Sequence, residues 1–64
     1  MNHILTDREQ RVMDLIIEGK SNNEIAVELE VSVNTIKTHL RHVFRKLEVE
    51  NRTQASVRYL RLSK

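Results

Sequence analysis

Residues 21–47, SNNEIAVELEVSVNTIKTHLRHVFRKL, contain two helix-start signals eleven residues apart. In the first signal, Ser21 and Glu24 have the pattern of a capping box, where a hydroxyl and a carboxylate each accept a hydrogen bond from the other residue's backbone N–H. Ser32 can cap a second helix, so the first helix must end near Glu30. The stretch therefore predicts a short helix over 22–29, a tight turn and a longer helix over 33–47.

The helix predicted over 33–47 has one apolar face and one basic face. At about 100° per residue, the apolar side chains fall within a sector of roughly 100°: Val33, Ile36, Leu40, Val43, Phe44 and Leu47. The opposite face carries basic and uncharged polar side chains: Asn34, Lys37, Thr38, Arg41, His42 and Arg45. Because no acidic residue on that face neutralises the positive charge, we expect this face of the helix to bind an anionic partner.

The spacing of small and apolar residues is typical of a helix-turn-helix motif. That motif needs a small residue where its helices cross, here Ala26, and a β-branched apolar residue ten positions later, here Ile36. In such a motif the second helix enters the major groove of DNA and contacts base edges. An ordinary turn of a three-helix bundle gives similar local signals, and it stays an alternative at this point.

Comparable start signals lie on both sides of the motif. Thr6 with Glu9 predicts a capping box for a helix over 7–18, and Asn51 with Gln54 predicts a cap for a helix over 52–62. The chain has no proline, one glycine and two aromatic residues, so little is available for sheet turns. We expect an all-α four-helix bundle with a helix-turn-helix motif.

The length and the charge distribution narrow the class of protein. Sixty-four residues are enough for one small core, so a single domain over residues 1–64 is predicted. Residues 1–30 hold three Lys or Arg against seven Asp or Glu, whereas residues 31–64 hold eight against two. This asymmetry favours an anionic partner for the second half, most commonly nucleic acid, although a solvated basic face fits it equally well.

The sequence lacks the residues that several classes of function require. The absence of cysteine excludes a disulfide scaffold, a thiolate zinc finger and a cysteine nucleophile. His39 and His42 lie three apart without further metal ligands, and no acid pair or nucleophile–base constellation is present, so we expect no metal, no cofactor and no enzyme activity. The apolar runs are too short for a membrane span, and a soluble, cytoplasmic domain is expected.

Five segments together resemble a known family. They are LTxRE at 5–9, GxSNxEIA at 19–26, LxVSxxTIKxHL at 29–40, KLxV at 46–49 and NRTQA at 51–55. In this order and spacing they resemble the LuxR-type (GerE-like) DNA-binding domain of bacterial transcription regulators. The resemblance implies sequence-specific binding of double-stranded DNA, with helix 33–47 in the major groove. The sequence departs from the family at Glu48, where Gly is common. A left-handed backbone conformation at a residue with a side chain would cost about 1 kcal/mol of folding free energy.

The resemblance also implies which side chains meet DNA. Lys37, Thr38 and Arg41 correspond to base contacts, and their chemistry agrees, since Lys and Arg suit the guanine acceptors and the Thr methyl can pack on thymine. The positions that correspond to phosphate contacts are Ser32, Asn34, Thr35, His39, Arg45, Lys46, Asn51 and Arg52. Two of these have an alternative structural role, because Thr35 lies near a helix start and His39 lies toward the flank of the exposed face.

The sequence of the fourth helix, over 52–62, indicates a contact between two copies of the protein. Val57 and Leu60 lie away from its core side, and related domains pair through this helix on DNA, so a weak homodimer is expected. When bound to DNA, the protein would be associated with the nucleoid.

Two other interpretations are weighed against this one. Region 4 of a sigma factor has a similar Glu-Ile-Ala and Thr-Ile-Lys core, but it does not usually continue through the segments at 46–49 and 51–55. A small interaction module could instead dock its basic helix on an acidic protein surface, including RNA polymerase. Titration with DNA of random sequence separates the last alternative, because binding to phosphate weakens steeply with salt.

Overall fold

The computed structural model describes residues 4–62, which form four helices. These are α1 (Asp7–Ile17), α2 (Asn22–Leu29), α3 (Val33–Leu47) and α4 (Arg52–Leu62). The all-α prediction is confirmed, and the predicted bounds agree except at the end of α1, where Glu18 is the cap and not a helical residue. Within residues 4–62, no helix is long and apolar enough to cross a membrane.

Local hydrogen bonds explain where the first three helices begin. The Thr6 hydroxyl accepts from the Glu9 N–H at 3.1 Å, and the Glu9 carboxylate accepts from the Thr6 N–H at 2.9 Å. Ser21 and Glu24 form the same reciprocal pair. Ser32 accepts from the N–H of the residue three positions later, at 3.1 Å. The predicted caps of α1, α2 and α3 are thus confirmed.

The start of α4 differs in one detail. Asn51 Oδ1 accepts from the Gln54 N–H at 2.9 Å, as expected for a cap. The Gln54 side chain, however, accepts from the N–H of Glu50 at 2.8 Å and not from that of Asn51. The side-chain amide of Gln54 therefore reaches the backbone one residue before the capping residue Asn51.

Helices α1, α2 and α3 all end in the same motif. A residue in the left-handed conformation follows each helix, with φ of 91° at Gly19, 60° at Glu30 and 58° at Glu48. After α2, the Val31 N–H donates back to the Ala26 carbonyl at 3.0 Å, and the other two ends have the equivalent bond. This is the Schellman arrangement, which satisfies the last helical carbonyls. Only one of the three ends has the glycine that this conformation favours.

Helix α3 is central, because it packs against each of the other three helices. Its fully buried side chains Ile36 and Val43 meet Met13 of α1 and Ile25 of α2 in one hydrophobic core. Tyr59 joins α4 to α1, and its hydroxyl donates to the Asp14 carboxylate at 2.7 Å. This packing fixes which side of α3 faces outward. The assignment of residues 1–64 as a single domain stays a prediction.

Candidate nucleic-acid interface

The outward side of α3 carries a row of cations. Lys37, Arg41 and Arg45 are exposed and four residues apart, so they form one stripe that extends about 12 Å along the helix axis. Their side chains make no hydrogen bond or ion pair within residues 4–62. Thr38 and His42 are exposed beside them. The stripe is therefore uncovered, and α3 has the dimensions of an element that fits the major groove.

The beginning of α3 holds three predicted phosphate contacts. The Ser32 hydroxyl, besides capping the helix, lies 3.0 Å from the Thr35 hydroxyl. The Thr35 hydroxyl therefore contacts the hydroxyl that caps the helix. Asn34 is exposed between them. The N-terminus of α3 is itself favourable for a phosphate group, since free N–H groups and the helix dipole point outward there.

The two histidines of α3 differ in exposure. His39 is half-buried on the flank of the helix, whereas His42 is exposed. Across residues 4–62, no group of three or more His, Asp or Glu residues is arranged to hold a metal ion.

Lys46 lies against α1. Its ammonium donates to Glu9 Oε1 at 2.7 Å, and the Glu9 side chain is only 5% exposed. Burial raises the pKa of the Glu9 carboxyl. The hydrogen bond and charge of Lys46 and the hydrogen bonds with Thr6 lower this pKa by more than burial raises it, so the net pKa lies below the usual 4.5. Glu9 is therefore charged and paired at neutral pH. Sequence reasoning identified Glu9 only as part of a cap.

Asn51 and Arg52 begin α4, and both make contacts within the chain. Asn51 caps the helix, as described above. The Arg52 guanidinium donates to Asn22 Oδ1 at 2.7 Å and to the Lys20 carbonyl at 2.5 Å. Arg52 thus joins the first residue of α4 to the segment where α2 begins. No local sequence signal indicated this contact.

The exposed side of α4 carries the predicted apolar patch. Val57 and Leu60 are 48% and 47% exposed. A shallow groove runs beside Val57, between α4 and the loop after α3, and is lined by Glu48, Val49, Thr53, Gln54, Val57, Arg58 and Arg61. Arg58 also donates to the Leu47 carbonyl at 2.8 Å, which ties α4 to the end of α3.

The family can be assigned from this fold and its sequence. The model of the luxR family of bacterial regulatory proteins matches residues 3–59. The chain belongs to the luxR family. The helix-turn-helix prediction is confirmed, and the luxR-type interpretation is confirmed over the sigma-factor alternative. The proteins of this family are bacterial regulatory proteins, which agrees with the predicted functional class.

Members of the luxR family with known roles share much of the sequence. The transcriptional regulatory protein LiaR of Bacillus subtilis is 49% identical over 53 residues, which are 83% of this chain and 25% of LiaR. The CsgBAC operon transcriptional regulatory protein of Escherichia coli is 52% identical over 52 residues, which are 81% of this chain and 24% of that protein. The chain therefore spans about a quarter of the length of these curated relatives.

Solved structures of luxR-type proteins have the same fold. The transcription factor GerE superposes with a TM-score of 0.91 at 32% identity, over 97% of this chain and 92% of GerE. The response regulator ChrA of a heme-sensing two-component system gives a TM-score of 0.91 at 35% identity, over 98% of this chain and 31% of ChrA.

Proposed function

We propose that this chain binds double-stranded DNA in a sequence-specific manner, with α3 in the major groove, as part of a bacterial transcription regulator. The observation that carries the proposal is the stripe of Lys37, Arg41 and Arg45, which is exposed and has no carboxylate partner within residues 4–62. An uncompensated row of cations on a protruding helix attracts the phosphate backbone and brings the helix to the groove.

Base readers and backbone contacts divide along the helix. We assign base contacts to Lys37, Thr38 and Arg41, because Lys and Arg donate well to guanine O6 and N7 and Thr packs on the thymine methyl. Phosphate contacts, which fix register without reading sequence, are assigned to the flanks of this group: Ser32, Asn34, Thr35, His39, Arg45 and Asn51. The predicted phosphate contacts of Lys46 and Arg52 compete with the intramolecular hydrogen bonds of these two side chains.

Selection of bound sequences from a random DNA pool tests the proposal and gives the recognition site. On that site, Arg41→Ala should cost about 1 to 3 kcal/mol and relax the base preference at one position. Arg45→Ala is the matched control: it removes one charge from the same stripe and should weaken specific and random duplexes alike. Equal losses on both kinds of DNA for both variants would contradict the division into readers and backbone contacts.

The interaction-module alternative predicts a different result. If the stripe docks on an acidic protein surface, such as one of RNA polymerase, random duplex DNA should bind weakly and no sequence should be enriched in the selection. A contact with RNA polymerase in addition to DNA stays a prediction, as does association with the nucleoid in the cytoplasm.

A weak homodimer on DNA is the second part of the proposal. The exposed Val57 and Leu60 lie one turn apart on α4, away from its buried Ala55 and Tyr59, and this arrangement supports self-association through α4. Two-fold pairing would place two copies of α3 about one DNA turn apart, near 34 Å. The patch is small, so pairing should be completed only when DNA holds both copies.

A further inference from the structure

The Lys and Arg residues of the described part of the second half, residues 31–62, fall into two groups. Four have no side-chain partner within residues 4–62: Lys37, Arg41, Arg45 and Arg61. Three are bonded within the chain: Lys46 to Glu9, Arg52 to Asn22 and Lys20, and Arg58 to Leu47. The basic charge of this half, counted from sequence, therefore exceeds the charge that is free to meet a partner.

Lys46 cannot exchange its ion pair with Glu9 for a phosphate contact without a loss of free energy. If the ammonium moved to DNA, the Glu9 carboxylate, 5% exposed, would stay buried without its cation. An unpaired charge at this depth is strongly unfavourable, whereas an ion pair at an exposed surface gains little. The Lys46 side chain is itself only 34% exposed. Its position therefore favours the bond to α1.

The contact of Arg52 uses the shape of its guanidinium. Two of its nitrogens donate to two separate acceptors, Asn22 Oδ1 and the Lys20 carbonyl, which lie at the start of α2. A planar fork holds both acceptors with donors on two separate nitrogens in a fixed geometry, whereas an ammonium presents its donors from one nitrogen on a flexible stem. Because α2 is the first helix of the helix-turn-helix, this bond sets where α4 lies relative to the motif.

We propose that Lys46 and Arg52 are positioning residues that hold α3 and α4 in place against α1 and α2, and that Lys37, Arg41 and Arg45 supply the electrostatic attraction to DNA. This inference rests on the proposed function and refines it. It replaces the phosphate roles that family resemblance implies for Lys46 and Arg52 with intramolecular ones.

The salt dependence of binding distinguishes the two assignments. The logarithm of the affinity falls with the logarithm of the salt concentration by about 0.9 per phosphate neutralised. On random duplex DNA, where no specific base contact forms, three α3 cations on phosphates predict a slope of about −2.7 for one chain, whereas addition of Lys46 and Arg52 predicts about −4.5.

Charge-removing variants give the sharpest comparison. Lys46→Gln and Arg52→Gln should leave the slope on random duplex DNA at its wild-type value between about 50 and 200 mM salt. Arg45→Gln is the matched control, since it removes one cation from the same helix as Lys46, and it should make the slope shallower by about 0.9. All variants are measured well below their melting temperatures, which circular dichroism determines.

A second measurement separates positioning from a purely structural role. On the site recovered by selection, Lys46→Gln should reduce the ratio of specific to random affinity by about tenfold, because a displaced α3 misaligns its base contacts. Glu9→Gln should do the same, and the double variant should be no worse than either single one. A residue that only stabilises the fold would leave this ratio unchanged at low temperature.

Conservative variants keep the test valid if a charge-removing variant does not fold. Lys46→Arg retains a cation for Glu9 and should keep the ratio near the wild-type value. Arg52→Lys retains the charge but loses the fork, so it should reduce the ratio with no change in slope. A phosphate contact would instead tolerate Arg52→Lys in both measurements.

Two results would overturn the inference. One is a slope shallower by about 0.9 for Lys46→Gln or Arg52→Gln. The other is an unchanged affinity ratio in Lys46→Gln and Arg52→Lys. Failure of the proposed function is distinct, because then the wild-type chain and Arg45→Gln would both lack salt-dependent binding to DNA.

Discussion

Glu30 and Glu48 each occupy a backbone conformation that suits glycine better. Their φ values of 60° and 58° are left-handed, and both residues end a helix through the same Schellman bonds that Gly19 makes after α1. A side chain in this region costs roughly 1 to 2 kcal/mol. Each carboxylate also lies at a helix C-terminus, where negative charge opposes the helix dipole. The sequence indicated the position of Glu48, since glycine is common there in the family.

Glu48→Gly should stabilise the chain by about 0.5 to 1 kcal/mol, because relief of the left-handed strain exceeds the added flexibility of the unfolded chain. For a domain of this size the melting temperature should rise by roughly 2 to 8 °C. Thermal unfolding followed by circular dichroism measures this. Glu50→Gly is the matched control: it removes the same charge two residues away, where φ is not positive, and it should not stabilise.

At the scale of elements, one carboxylate connects two helices. Glu9 Oε1 accepts from the Thr6 N–H, which closes the cap of α1, and from the Lys46 ammonium of α3. The cap therefore stabilises tertiary structure as well as one helix. Glu24 closes the cap of α2 in the same way but is exposed, and its hydrogen bond from the Ser21 N–H is the main reason that its pKa is lowered.

Stability should fall on acidification in a way that Glu9 controls. Because folding lowers the pKa of Glu9, its contribution is present above the unfolded value of 4.5 and is lost as the pH falls through the lower folded value. The melting temperature of the wild-type chain should thus be nearly constant above about pH 5 and decline below it. Unfolding curves recorded across this range measure the decline.

Glu9→Gln should remove about 1.5 to 3 kcal/mol at neutral pH, the usual contribution of a hydrogen bond to a charged group. The variant should also decline less steeply in acid, so the two curves should converge at low pH. Glu18→Gln removes an exposed carboxylate that makes no hydrogen bond or ion pair within residues 4–62 and should follow the wild-type curve. Parallel curves for wild type and Glu9→Gln would contradict the assignment.

The elements were predictable to the extent that their signals are local. Thr6, Ser21 and Ser32 each cap a helix through a residue three positions away, so the helix starts follow from sequence alone. The bonds of Lys46 to Glu9 and of Arg52 to Asn22 span 37 and 30 positions. Helical periodicity tells which side of α3 is apolar, but it does not tell which carboxylate a flanking lysine meets once the helices pack.

The surroundings of the residues predicted to contact DNA were predictable only in part, for the same reason. Lys37, Arg41 and Arg45 lie on the face opposite the core, and periodicity alone places them outward. Lys46 lies at the border of that face, so the packing of the helices decides whether its side chain meets solvent or α1.

The whole molecule divides into an acidic part and a basic part. Helices α1 and α2 carry most of the carboxylates, and the Arg11–Glu28 ion pair at 2.7 Å joins these two helices to each other. The free cations of residues 31–62 lie on α3 and α4. An approaching duplex would orient the molecule with α3 toward it and α1 away, before any specific contact forms.

Dimerisation through α4 should then appear as cooperativity between two half-sites. Val57→Ser combined with Leu60→Ser should abolish a cooperative gain of about 5- to 150-fold on paired half-sites while leaving a single half-site unaffected. Mobility shifts on one-site and two-site duplexes measure this. Val27→Ser is the matched control, since Val27 is a 78% exposed valine on α2, outside the patch. Loss of cooperativity in that control would place the pairing surface elsewhere.

Tyr59 gives the chain an internal optical reporter. It is the only tyrosine, and the sequence has no tryptophan, so under excitation selective for tyrosine the emission comes from this one ring. In the fold the ring is buried and its hydroxyl donates to the Asp14 carboxylate, a neighbour that quenches tyrosine fluorescence. Emission should therefore brighten when α4 separates from α1, and it should stay dim when a duplex occupies α3. A single unlabelled sample can thus distinguish unfolding from complex formation.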